Sequence, residues 1–354
     1  MILITGGAGF IGSNFIEHWV SCSDEEVLNI DKLTYAGNLL NLRSLDHSSQ
    51  YQFIQGDIKN GELIYSILEK FKPRAIINFA AESHVDRSIR GPKEFILTNV
   101  LGTYELLEAS KNYWQNLQDA QKEKFRFLHI STDEVYGSLS PVESGFKETN
   151  KYKPNSPYSA SKASSDHLVR AYFKTYGVPV LTTNCSNNYG PFQFPEKLIP
   201  LVINNIFQNK EIPVYGNGLQ VRDWLYVVDH CKALNCVLES GRIGEIYNIG
   251  GMNEKQNIDV VLDICSLMDK KNKIFSKPST KELITYVDDR PGHDSRYAID
   301  NSKITNELKW SPEETFESGI ERTIEWYSKN KDWVLSVTSG EYREWIKKQY
   351  QVDQ

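Results

Sequence analysis

The stretch ILITGGAGFIG, residues 2–12, runs a short apolar segment into a glycine-rich turn and on into the first residues of a helix-period pattern. Ile11, Phe15, Ile16 and Trp19 continue that pattern at helical spacing, so the stretch reads as strand, turn and amphipathic helix. Working outward, further short apolar runs fall at 27–31 (VLNID), 52–56 (QFIQG), 75–81 (AIINFAA), 125–131 (FRFLHIS) and 178–184 (VPVLTTN). Helix-period segments separate them, as in Leu63, Ile64, Ile67, Leu68 and Phe71. Strands that alternate with helices and are apolar on both faces predict a parallel, doubly wound α/β sheet. After about residue 185 prolines and aromatics cluster, in NNYGPFQFPEKLIP, and charged segments such as MDKKNKIFSKP intervene. A helix pattern at 229–239 followed by YNIG predicts a return to the sheet between 225 and 251. The expected division is therefore one domain from 1–184 and 225–251 and a smaller mixed α/β domain from 185–224 and 252–354.

The chain of 354 residues carries a formal charge of −6, with its basic residues scattered, which argues against nucleic acid as a partner. No apolar run approaches the ~20 residues of a membrane span, and the first strand begins at once, leaving no room for a leader. Five cysteines (Cys22, Cys185, Cys231, Cys236, Cys265) show no CxxC spacing and read as reduced, buried thiols of a cytoplasmic protein. The seven histidines show no HxxxH or HExxH spacing, and no metal site is expected.

Within the glycine turn, Gly7, Gly9 and Gly12 satisfy GxGxxG, and Gly6, Gly9 and Gly12 satisfy GxxGxxG. Such a turn lets the backbone approach a pyrophosphate, while the following helix N-terminus offers unpaired N–H groups to the anion. Alone the motif is weak, and a glycine turn beside a surface aspartate is the competing reading. Asp31 at the end of the second run favours a dinucleotide, since an acid there bonds ribose hydroxyls and repels a 2′-phosphate. NAD is the expected cofactor, with Lys32 slightly weakening the exclusion of NADP.

SPYSASK supplies Ser156 as an N-cap, Pro157 at the first helical position, and Tyr158 and Lys162 four apart on one helical face. Ionising half of a phenol of pKa ~10 near neutrality needs roughly 4 kcal/mol. One cation ~4 Å away at an effective dielectric of ~20 supplies about that much. Lys162 and an oxidised nicotinamide would thus make Tyr158 a base for oxidising an alcohol. ISTDEVYG (130–137) adds Thr132, Asp133 and Glu134 at the end of an apolar run, where ligands of doubly wound sheets bind. Two adjacent acids suit a reaction that also moves protons, one removing a proton and the other giving one to a leaving hydroxyl. A solvated turn or helix cap is the alternative for that pair.

The set TGGAGFIG, STDEVYG and YSASK resembles the extended short-chain dehydrogenase/reductase family of nucleotide-sugar enzymes. With CSNNYGPFQFPEKLIP, VRDWLYVVDH, RPGHDSRYAID and the tail SGEYREWIKKQY, the whole chain resembles the 4,6-dehydratases of that family. The resemblance implies a Rossmann domain holding NAD and a smaller C-terminal domain holding dTDP-glucose. It implies hydride transfer from C4, loss of water across C5–C6 and hydride return to C6. Thr132 would bond the C4 hydroxyl and Tyr158, tuned by Lys162, would take its proton. Asp133 would be the acid at the C6 oxygen and Glu134 the base at C5. Carried over by motif, Gly6, Gly9, Phe10, Ile11, Gly12, Asp31, Lys32, Thr34, Asp57, Ile58, Ala80, Ala81, Ser83, Thr98 and Asn187 would join Tyr158 and Lys162 around the cofactor. Ser83, His84, Thr132, Asn188, Glu196, Lys197, Leu198, Pro213, Tyr215, Arg222, Asn257, Arg290 and His293 would meet the substrate. Phe192 stands where the resembling enzymes often carry tyrosine. A homodimer paired through helices near 95–118 and 158–176 is also implied. A dehydratase or epimerase acting on a UDP- or CDP-linked sugar, and a non-catalytic NAD-binding scaffold, are the alternatives; the acid pair argues against the epimerase, and the intact set of five against the scaffold.

Overall fold

The computed structural model describes residues 1–271 and 279–338. The tail SGEYREWIKKQY and most of the charged segment MDKKNKIFSKP lie outside the described residues. Seven strands form one sheet: β1 (Ile2–Thr5), β2 (Val27–Asp31), β3 (Tyr51–Gln55), β4 (Ala75–Asn78), β5 (Arg126–Thr132), β6 (Val180–Cys185) and a late strand, Ile246–Ile249. Every pairing in it is parallel, with Ile2 opposite both Val27 and Ala75 and Phe127 opposite Val180. The expected strands are present, three of them displaced by a residue or two, and the run from 75 stops at Asn78. Phe79–Ala81 leave the sheet as a loop over its carboxyl edge.

All four residues of β1 and all five of β2 are buried, because helices cover both faces. Each fully buried aliphatic side chain there contributes about 1.5–3 kcal/mol. Phe15, Ile16 and Trp19 of the helix Phe10–Cys22 share one core with Leu234 and Val237 of the helix Val227–Ser240. On the other face, Ile64, Ile67 and Leu68 pack with Leu3, Ile76 and Phe127. The strand order runs β3-β2-β1-β4-β5-β6 and then the late strand. It therefore reverses between β1 and β4, which opens a crevice at their carboxyl ends.

After Cys185 the chain builds a second core. The strand Asn187–Tyr189 (β7) lies parallel to Val221–Tyr226 (β9), which pairs antiparallel with Glu254–Gln256. Ile212–Tyr215 (β8) pairs with Ile284–Val287. Strand β9 ties the two regions together, since Trp224 and Tyr226 enter the second core while Leu225 enters the first. Ile304 and Trp310, from the stretch assigned in sequence to the smaller domain, also pack into the first core. The expectation of buried thiols needs one correction: Cys185, Cys231 and Cys265 are buried and Cys236 is partly so, but Cys22 is exposed. It is the last residue of its helix, beyond the face that packs inward.

Candidate active site

The glycine turn is shaped by how closely it passes the next strand. Gly6 has φ +72°, and a Cβ there would lie 2.6 Å from the Ala80 nitrogen. At Gly12 a Cβ would lie 2.5 Å from the Gly6 carbonyl oxygen, whereas at Gly9 it would meet only that oxygen, at 3.3 Å. Gly6 and Gly12 therefore keep the turn tight, and Gly9 leaves its backbone open toward the crevice. Asp31 is buried at the end of β2, its two carboxylate oxygens accepting from the backbone N–H of Ala8 (2.9 Å) and Leu33 (2.8 Å). Burial pushes its pKa up despite those bonds. Lys32 forms an ion pair with Asp57 at 2.9 Å, so its charge is countered locally. Although burial works the other way, bonds from Lys59 and Lys32 hold the Asp57 carboxyl below its ordinary value.

One continuous cleft joins these residues to the end of β5. Every residue assigned to the cofactor lines it, from Gly6, Gly9, Phe10, Ile11 and Gly12 through Thr34, Asp57, Ile58, Ala80, Ala81, Ser83 and Thr98 to Asn187. Thr98 stands in a widened, π-helical turn, Ile96–Gly102, of the kind that reshapes helices at functional sites. The neighbouring Asn99 donates to the Glu82 carbonyl (2.9 Å) and to Ser161 Oγ (2.8 Å), pinning the loop after β4 to the helix Pro157–Tyr176.

That helix starts as its sequence requires. Ser156 Oγ accepts from the Ser159 N–H at 3.0 Å, Ser159 Oγ accepts from the Ser156 N–H, and Pro157 follows the cap. Tyr158 and Lys162 face the cleft beside Thr132, Asp133 and Glu134. Thr132 ends β5 and caps a short 3-10 turn, Asp133–Tyr136, its Oγ1 accepting from the Glu134 N–H at 3.3 Å. Gly137 closes the turn at φ +90°, where a Cβ would strike the Lys153 carbonyl oxygen at 2.4 Å.

The two acids sit in unlike surroundings. Asp133 is 1 % exposed and its Oδ2 has no hydrogen-bond partner. Burial, then the charges of Glu134 and Asp223, hold its carboxyl well above the usual range, with Arg222 opposing. Glu134 is also raised by burial, but Arg290, Lys197 and Arg222 all favour its ionised form. Both carboxyls are thus raised, Asp133 the more so, and only Glu134 has several cations opposing the rise. Burial and then the Glu134 carboxylate hold the Tyr158 phenol well above its ordinary value. The Lys162 ammonium donates to the Ile130 carbonyl at 2.8 Å and lies 3.4 Å from His129 Nε2.

Of the substrate candidates, Ser83, Asn188, Glu196 and Lys197 line the same cleft. Lys197 donates to the Ser83 carbonyl at 3.0 Å. The Asn188 amide is partly engaged, by His230 at 2.9 Å and the Ser186 carbonyl at 3.0 Å. His84 Nε2 lies 3.8 Å from Glu196 Oε1. Tyr215, Arg290 and His293 gather further out: Arg290 pairs with Asp86 at 2.9 Å, Tyr215 donates to the same carboxylate at 3.1 Å, and the His293 ring stands edge-on to Tyr215. Arg222 is buried, donating to the Asp294 carbonyl at 2.9 Å with its guanidinium over the Tyr297 ring. Leu198 and Asn257 open helices, and Pro213 lies within β8; these three and the outer group do not line the cleft itself. Phe192 holds φ +65° against Trp326 and Trp333.

Sequence reasoning missed Tyr35, Asp86 and Arg87. Arg87 donates to Glu196 at 3.0 Å and stacks 3.7 Å over the Tyr35 ring. The charged run directly after Ser83 and His84, at the carboxyl end of β4, was the available signal.

A family model described as GDP-mannose 4,6 dehydratase matches residues 3–323. The dTDP-glucose 4,6-dehydratase of Shigella flexneri is 57% identical over 99% of both chains. That of Xanthomonas campestris is 58% identical, over 96% of this chain and 97% of its own. The chain belongs to the dTDP-glucose 4,6-dehydratase family. Among solved structures, the dTDP-glucose 4,6-dehydratase of Bacillus anthracis in complex with NAD superposes with a TM-score of 0.84 at 47% identity, covering 95% of this chain and 99% of that one. As a dTDP-glucose 4,6-dehydratase family member, the chain has its acid pair where the sheet delivers ligands to the tyrosine and lysine. Among the described residues, no group of histidine, cysteine and carboxylate side chains could hold a metal ion.

Proposed function

We propose that this protein converts dTDP-glucose to dTDP-4-dehydro-6-deoxy-glucose with NAD as cofactor. The observation that carries the reading is the pair at the end of β5, a buried Asp133 held strongly toward its protonated form and a half-buried Glu134 faced by three cations, beside Thr132 and Tyr158. The chain fits the dinucleotide: Gly9 leaves an open backbone for the pyrophosphate, Asp31 keeps lone pairs for the ribose, and Asn187 has a buried amide oxygen without a partner at the nicotinamide end. NAD, when bound, supplies the acceptor and later the donor of one hydride, so the reaction has no net redox change.

Thr132 bonds the C4 hydroxyl and orients it. Tyr158 takes the hydroxyl proton, helped by the Lys162 ammonium beneath the strand end. Glu134 removes the proton from C5, which a neighbouring ketone has made acidic. Asp133, kept protonated by burial, gives its proton to the departing C6 oxygen. In this reading Glu196, Lys197 and Asn188, which line the cleft, hold the sugar, and Arg222, Arg290 and His293, outside that lining, meet the diphosphate and nucleoside. Arginine's planar fork matches phosphate oxygens.

Residues 1–184 and 225–251 serve the cofactor in this reading, and 185–224 and 252–354 the sugar nucleotide. A homodimer through residues 95–118 and 158–176 is supported by the exposed Ile96, Leu101, Tyr104 and Tyr176 on those segments. Among the described residues no helix is long and apolar enough to cross a membrane. Five unpaired cysteines support a reducing, cytoplasmic setting. Incubation with dTDP-glucose tests the function: formation of a 4-keto sugar, read as absorbance after alkali, is expected. Its absence from folded, NAD-loaded protein would refute the reading.

A further inference from the structure

Behind Lys162 lies a buried polar chain for which the reaction has no direct use. Thr5 Oγ1 donates to Asn78 Oδ1 at 2.7 Å, and Asn78 Nδ2 lies 3.2 Å from His129 Nδ1. His129 Nε2 faces Ser165 Oγ (3.3 Å), Asp166 Oδ1 (3.4 Å) and the Lys162 ammonium (3.4 Å). Ser131 Oγ donates to Asp166 Oδ2 at 2.8 Å. His129 is 0 % exposed, Lys162 3 % and Asp166 4 %, so water does not settle their charges.

The hydrogen-bond directions fix the proton on the imidazole. Thr5 gives its hydroxyl proton to the Asn78 oxygen, so the Asn78 amide N–H points at Nδ1, which must accept. Ser165 gives its own proton to the Lys162 carbonyl, which leaves its oxygen as an acceptor for Nε2. The ring is therefore a neutral Nε2–H tautomer, and burial with the adjacent lysine pulls its pKa down to about 4. A neutral histidine neither adds to nor cancels the lysine's charge. Asp166 Oδ1, buried and without a partner at hydrogen-bond distance, shares His129 Nε2 with the Lys162 ammonium, and the Tyr152 and Tyr136 phenols face the same carboxylate.

We propose that Asp166 is a positioning residue for the reaction, its carboxylate keeping Lys162 charged across a neutral His129 spacer. The inference rests on the dehydratase reading, which wild-type turnover tests by itself. The titratable groups facing Lys162 are Tyr158 and Asp166 from its own helix, His129 from β5 and Cys185 from β6, with Asp133 and Glu134 beyond Cys185. The segments packed on the other side of the helix present uncharged partners near it, Ser88 to the Tyr158 N–H and Asn99 to Ser161. Burial lowers the Lys162 pKa; Asp166 is the strongest opposing influence, and Cys185, its own thiol pushed up to about 12, adds to it.

The sign follows. Without the Asp166 charge, Lys162 loses its proton at lower pH, and the alkaline limb of kcat/KM moves down. Both groups lie 3.4 Å from His129 Nε2, and an opposite charge within about 4–6 Å is worth about one to three pH units. In Asp166→Asn the midpoint of that limb should fall by at least about one unit, while the rate on the acid side changes only a few-fold. Each profile is normalised to its own plateau, so a reduced folded fraction does not move the midpoint. Asp166→Ser, which also removes the charge and leaves a hydroxyl in its place, should move it the same way by a similar amount and serves if Asp166→Asn does not fold. His129→Gln, neutral like the histidine, should leave it in place. Uniform loss of rate with unmoved midpoints in Asp166→Asn and Asp166→Ser would overturn the proposal. So would an equal shift in His129→Gln, which would make the imidazole the charge partner.

Discussion

Replacing Asp133 by asparagine separates the proton donor from everything else the site does. The amide keeps the side chain's shape and can still accept the Thr132 hydroxyl, 3.4 Å from Oδ1 in the wild type. What it cannot do is give a proton to the C6 oxygen. A positioned general acid is worth about 10²–10⁴ in rate, or roughly 3–5 kcal/mol of barrier. Product formation should fall by that factor, while oxidation at C4, which depends on Thr132, Tyr158 and Lys162, continues. The stability change has two opposing parts. The new amide N–H group replaces an oxygen with no partner, and an unmet buried donor costs about 1–3 kcal/mol. Against this, the wild-type carboxyl has a folded pKa raised by burial and by Glu134 and Asp223, so its favourable contribution is complete only below its unfolded pKa of roughly 4. That contribution fades as pH rises through the folded pKa, and the variant has nothing to lose there. The melting temperature of Asp133→Asn relative to wild type should therefore climb between acid and neutral pH. Single-turnover mixing with dTDP-glucose, following reduced-nicotinamide absorbance and keto-sugar product, reads the chemistry; thermal melts across pH read the stability. Product formation within tenfold of wild type, or a melting difference flat with pH, would refute the assignment of Asp133 as a buried, protonated acid.

Glu134→Gln should leave C4 oxidation intact and stop proton removal at C5. In heavy water the wild type should yield product with solvent deuterium at C5, whereas the variant's recovered sugar should carry none and its turnover should fall by about 10²–10⁴. Gly12→Ala places a Cβ 2.5 Å from the Gly6 carbonyl and 2.8 Å from Gly7 Cα, both backbone atoms that cannot swing aside. Overpacking of this kind costs about 1–3 kcal/mol, so NAD affinity measured by calorimetry should drop roughly tenfold or more. Unchanged affinity would mean the turn yields freely.

Local physics made much of this legible in advance. The strands at 2–5 and 27–31 match the observed bounds, since a strand buried on both faces must be apolar throughout and turn residues must bracket it. The cap at Ser156 and Pro157 was readable because a capping box is a contact between residues three apart. Most of the cofactor residues reached one cleft because they end or follow a strand at its carboxyl end, and parallel strands bring those ends together. Tyr158 and Lys162 were placed on one face, but where the lysine's charge goes was not legible. Its reach to Ile130 depends on β5 passing beside the helix, which spacing along the helix does not encode.

The sequence by itself determined the βα alternation, the glycine turn with Asp31, the acid pair and the tyrosine–lysine helix, each a matter of residues a few positions apart. Only the tertiary structure decided what charge those groups carry. Asp133 is kept protonated by a burial that many segments create and by Asp223, 90 positions away. The rise that burial imposes on Glu134 is opposed by Lys197, Arg222 and Arg290 from the second region, and Arg290 is itself held by Asp86 across 204 residues. Protonation is set by solvent exclusion and the summed field of neighbours, and both exist only once distant segments have packed.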